Sequence, residues 1–117
     1  MSLFRRKQPP APPPSEHAVI VRFSVSDDSF GNPEERAAFL ALEATIAQAI
    51  DTAGVGEYDG NMFGNGEVVM YAYGPDADRL FVVMQPYLRG YEARPASCVL
   101  RYGPASDPEA PERRVSL

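Results

Sequence analysis

Three observations in the sequence predict a single α+β domain. Two segments carry apolar residues at helical spacing, and four shorter ones are strand-like. They follow one another as strand, helix, hairpin, helix, strand. The stretch from Ala18 to Gly103, about 86 of the 117 residues, is long enough to bury a modest core without disulfides.

His17 to Val25 reads as the first strand. Val19, Val21, Phe23 and Val25 fall on one side, Ile20, Arg22 and Ser24 on the other. Ser26 to Gly31 reads as a loop. Its adjacent acids, Asp27 and Asp28, lack the ligand spacing and third acid of a calcium loop, so turn chemistry is expected. Asn32 to Ala53 is the first helix. Asn32 is an N-cap residue, Pro33 suits the first helical position, and Glu34 and Glu35 complement the positive end of the dipole. Phe39, Leu42, Ile46, Ala49, Ile50 and Ala53 form its apolar stripe, and Gly54 supplies a left-handed C-cap.

The segment Glu57–Tyr73, EYDGNMFGNGEVVMYAY, reads as a hairpin turning at Gly64-Asn65-Gly66. Strict alternation in its first arm puts Glu57, Asp59 and Asn61 together, and Gly60 marks a bulge or bend. Asp76 caps the second helix, whose stripe is Leu80, Phe81, Met84 and Leu88. Pro86 falls inside it, and Gly90 closes it. Tyr91 to Pro95 is a connection. Ser97 to Tyr102 is the last strand, with Cys98 expected to be buried and inert.

This order matches the ferredoxin-like βαββαβ pattern: a four-stranded antiparallel sheet in the order 4-1-3-2, with two helices on one face. The covered face is expected to hold Val19, Val21, Phe23, Val68, Met70, Leu100 and Tyr102. The open face is expected to hold Arg22, Glu57, Asp59, Asn61, Val69, Tyr71, Tyr73, Val99 and Arg101. Residues 1–17 read as a disordered basic, proline-rich tail, 18–103 as the domain, and 104–117 as a second disordered tail.

Net charge is −5. The expected domain holds six arginines against twelve acids, which disfavours nucleic-acid binding, since affinity for phosphate backbones comes from basic side chains. No segment approaches the ~20 apolar residues of a membrane span, and Pro9 to Pro14 occupies the place of a signal-peptide core, so a cytoplasmic protein is expected. The single cysteine excludes an intramolecular disulfide and a cysteine-based zinc site. His17 is the only histidine, and no pattern sets a nucleophile beside it. The turn at Gly64-Asn65-Gly66 has no lysine and no following helix, unlike a P-loop. No catalytic residue, metal site or cofactor is expected.

The segments EYDG, FGNGE and YGPDAD, with CVLRYG further on, make the chain from Val19 to Gly103 resemble a group of small bacterial proteins of unknown function. That resemblance implies a compact α+β bacterial protein and brings no activity. The expected topology is also similar to those of ACT domains and dimeric α+β barrels. The leading expectation is a non-enzymatic interaction module that binds a protein partner, or itself as a homodimer, through Arg22, Glu57, Asp59, Asn61, Tyr71, Tyr73 and Arg101. One version is an immunity or antitoxin-like protein that blocks a basic partner. The alternative is an ACT-like dimeric sensor of a small ligand. A cation-dependent hydrolase built on Asp27, Asp28, Glu57 and Asp59 is the weakest of the three readings.

Overall fold

Among the described residues of the computed structural model, seven elements follow one another: β1 (His17–Ser24), α1 (Pro33–Ala53), β2 (Glu57–Gly64), β3 (Glu67–Gly74), α2 (Ala77–Gly90), β4 (Ser97–Arg101) and β5 (Glu112–Val115). The structure describes residues 16–25, 31–91, 97–104 and 106–117. The expectations for the basic, proline-rich head, for Asp27 and Asp28, and for most of the connection after Tyr91 lie outside the described residues.

The strands form one antiparallel sheet in the order β2-β3-β1-β4-β5. The four expected strands are present, and a fifth corrects the expected count. It arises where the sequence suggests a disordered tail. Tyr102 N–H donates to Pro111 O at 2.8 Å, and β5 then pairs with β4 from Cys98↔Val115 to Arg101↔Glu112. Four residues bounded by prolines and charges carry too little alternation to read as a strand alone. The ready-made edge of β4 supplies the order.

Both helices pack on the same side of the sheet. Val19, Val21, Phe23, Val68, Met70, Cys98 and Leu100 meet Phe39, Leu42, Ile46 and Ile50 of α1 and Leu80, Phe81, Met84 and Leu88 of α2 in one buried cluster. Ends are set locally. Asn32 and Glu35 form a reciprocal capping box at 2.8 and 2.9 Å, and Gly54 closes α1 at φ 66°. Asp76 caps α2 by accepting from the amides of Asp78 and Arg79. Asn65 (φ 55°) and Gly66 (φ 79°) make the two-residue turn between β2 and β3. Among the described residues, no helix is long and apolar enough to cross a membrane.

Candidate functional site on the open sheet face

The registers of the five strands stack their outward residues into rows. One row runs Glu57, Tyr73, Ala18, Arg101, Glu112. The next runs Gly60, Tyr71, Ile20, Val99, Arg114. A third runs Met62, Val69, Arg22, Ser97. The centre of this face is therefore apolar and aromatic. Ile20, Tyr71, Tyr73 and Val99 are half-buried, and Met62 is 62% exposed. Charge lies around them. Arg22 pairs with Glu67 at 3.5 Å, and Arg101 with Glu112 at 2.8 Å.

Most of the expected open-face residues are brought together here: Arg22, Glu57, Asp59, Val69, Tyr71, Tyr73, Val99 and Arg101. Val69 is only 5% exposed and acts as a floor rather than a contact.

Asn61 is a correction. The register shifts between Tyr58 and Gly60, so Asp59 and Gly60 both stand opposite Tyr71. Every later residue of β2 changes face. Asn61 pairs with Met70 on the helix side, and its side chain donates to Glu43 Oε2 of α1 at 2.5 Å. The same oxygen accepts from Tyr58 Oη at 2.5 Å, and burial together with Glu43 pushes the phenol's pKa upward. Met62 takes the outward place that strict alternation assigns to Asn61. The bulge at Gly60 is legible in the sequence; its consequence for the next four residues needs the register.

The two arginines of the expected site differ in character. Arg22 is exposed and, among the described residues, held only by Glu67. Arg101 is mostly buried, bound to Glu112 and to the carbonyl of Asp107, so it fastens the β4–β5 loop. Its first duty is structural.

At the β2 edge, Glu57 and Asp59 are joined by Glu16. Partial burial raises the Glu16 carboxyl above its ordinary 4.5, and the charges of Glu57 and Asp59 raise it further. Arg114, at the opposite edge, is exposed and has no partner among the described residues. The face thus has an acidic side and a basic side.

A second cluster, which local sequence patterns do not reveal, lies where β1, β4, β5 and the start of α2 meet. Tyr102 Oη donates to Asp78 Oδ1 at 2.6 Å, and Arg113 reaches both, at 3.1 and 3.2 Å. The His17 ring stands edge-on to Tyr102 at 5.5 Å, and its Nδ1 accepts from Ala77 N–H at 3.1 Å, so the ring proton is on Nε2. The sequence places Tyr102 on the covered face. Its ring does pack against the core, while its hydroxyl clasps the helix.

The Tyr102 hydrogen bond, with Arg113 beside it, holds Asp78 below its ordinary 3.8. A depressed carboxylate contributes stability above its unfolded-state value and loses it as pH falls through the lower folded value. Asp78→Asn is therefore expected to lower the urea midpoint at neutral pH. The gap to wild type should close as pH drops below about 4. A gap that stays constant down to about pH 2.5 would remove Asp78 from the acid response.

On the far side of the molecule, a shallow groove of about 670 Å³ lies between the helices, lined mainly by small residues of α1 with Val83 and Tyr87 of α2. Among the described residues, no three of His, Cys, Asp or Glu gather closely enough to hold a metal ion. Cys98 is buried, which pushes its thiol up to about 11. Compared with known proteins, the chain matches no family model, no curated protein and no solved structure.

Proposed function

We propose that this protein is a non-enzymatic interaction module that engages a protein surface through the open face of its sheet. One observation carries the reading: the aligned row Tyr71–Ile20–Val99 sits at the centre of a face that the described residues leave uncovered, within a rim of charged residues. An apolar, aromatic centre with a polar margin is the anatomy of specific protein interfaces. Rim charges steer encounter and contribute to specificity more than to affinity.

The test is affinity capture with wild type and with Arg22→Ala/Tyr71→Ala. Arg101 is left intact because it braces the β4–β5 loop. Leu40→Ala/Val82→Ala, on the exposed helix side, is the control. The open-face variant is expected to weaken binding at least tenfold, and the control to leave it unchanged. Equal capture by all three folded proteins would refute the open face as the working surface.

A further inference from the structure

The geometry points to a second copy of this chain as the occupant of the open face, seated about a two-fold axis that runs along β1. This inference rests on the reading above and names its partner. A two-fold interface must be complementary to itself. The strand order places β1 at the middle of the sheet, with two strands on either side. Rotation about an axis along β1 therefore lays the β2 edge of one copy over the β5 edge of the other. Ile20 then meets Ile20 and Tyr71 meets Val99, while Arg22 meets Arg22 and Glu57 meets Glu112, with Arg22 paired to Glu67 and Glu112 to Arg101 within each copy.

Charge follows the same symmetry. The β2 edge carries Glu57 and Asp59 without basic partners among the described residues. At the β5 edge, Glu112 is already neutralised by Arg101, so Arg114 sets the sign. The rotation brings the bulged Asp59 toward the second copy's Arg114. A face with one acidic and one basic side repels copies stacked edge on like edge and attracts copies related by this axis.

The alternatives through the sheet edges are blunted. The β2 edge is bent by its bulge and bears two acids, and β5 is only four residues long with two arginines. The area is adequate. Five strands at ~4.8 Å spacing and about six residues at ~3.4 Å give a planar footprint of ~490 Å². Side-chain relief brings this to the low end of the ~600–1,000 Å² per partner that specific interfaces bury. Sheets facing in this way pack with strands within about 30° of each other. An interface of this size with few aromatic anchors predicts a dissociation constant on the order of micromolar.

The experiment is sedimentation across a concentration series with charge-exchanged variants of the full chain. Arg114→Glu makes both edges acidic; Glu57→Arg/Asp59→Arg makes both basic. Each variant alone is expected to dimerise at least tenfold more weakly than wild type. Mixed one to one, they are expected to recover dimer as a heterodimer. Combining all three substitutions in one chain restores opposite edges and should restore the homodimer. Ile20→Arg, which sets two further charges at the apolar centre of the axis with no carboxylate beside them like the Glu67 that pairs with Arg22, should give a monomer.

A wild-type chain that stays monomeric at several hundred micromolar overturns the inference. So does a dimer that none of these substitutions weakens. A monomeric wild type whose captured partner is still lost on Arg22→Ala/Tyr71→Ala leaves the open-face reading standing and removes only the second copy as its partner.

Discussion

Gly74→Ala is expected to destabilise the protein by about 3 kcal/mol, a large loss for one methyl group. The cause is a close crossing of backbones. After α1 the chain passes over the end of β3, and a Cβ on Gly74 would stand 2.3 Å from the carbonyl oxygen of Val55. The opposing atom is backbone, so no side-chain rotation relieves it. Gly56 meets the same crossing from the other side, its Cβ position 2.2 Å from Tyr73 O. Gly90→Ala is the matched control, because a Cβ there meets nothing within 4 Å. That change should be neutral or slightly stabilising, since alanine restricts the unfolded chain more than glycine does. Urea denaturation of the two variants tests the pair. A Gly74→Ala variant within about 0.5 kcal/mol of wild type would show that the crossing can relax.

Phe23→Ala is expected to cost about 4 kcal/mol, by lost transfer energy and by the cavity left behind. Phe23 is buried at the end of the central strand. Its ring meets Phe39 of α1 and Tyr91 beyond α2 edge-on, each at 5.6 Å between centroids. Phe39 in turn meets Phe63 of β2 at 5.5 Å. One ring therefore joins the sheet to α1 and to the end of α2, and its removal opens a cavity between them. Phe23→Leu keeps most of the volume and should cost under about 1.5 kcal/mol. Equal losses for alanine and leucine would locate the cost in aromatic geometry rather than in the cavity. A loss below about 1 kcal/mol for alanine would mean that the site collapses freely.

The expected features that appear in the structure rest on local chemistry. The apolar stripe of α1, its Asn32–Glu35 box and its Gly54 cap depend on residues within a few positions of one another. So do the Asp76 cap and the Asn65-Gly66 turn. The alternation of β1 is read the same way, because a regular strand assigns faces by counting. Those elements are enough to bring Arg22, Tyr71, Tyr73 and Val99 to one face.

Counting fails in β2. The extra residue at Asp59 and Gly60 is placed by pairing with β3, and the register beyond it is displaced by one. Asn61 therefore turns inward to Glu43, and Met62 turns outward.

By itself, then, the sequence determined the two helices, the positions of four strands, the turn between β2 and β3 and the polarity of β1. Tertiary structure alone decided the fifth strand, the reversal of Asn61 and Met62, the structural duty of Arg101 and the Tyr102–Asp78–Arg113 clasp. The physical reason is range. Helix caps, turns and alternation are satisfied by neighbours in the chain. The order of β5 comes from the open edge of β4, and the face of Asn61 from its register against β3. Arg113 and Asp78 lie 35 residues apart and meet only because the sheet and α2 hold them there.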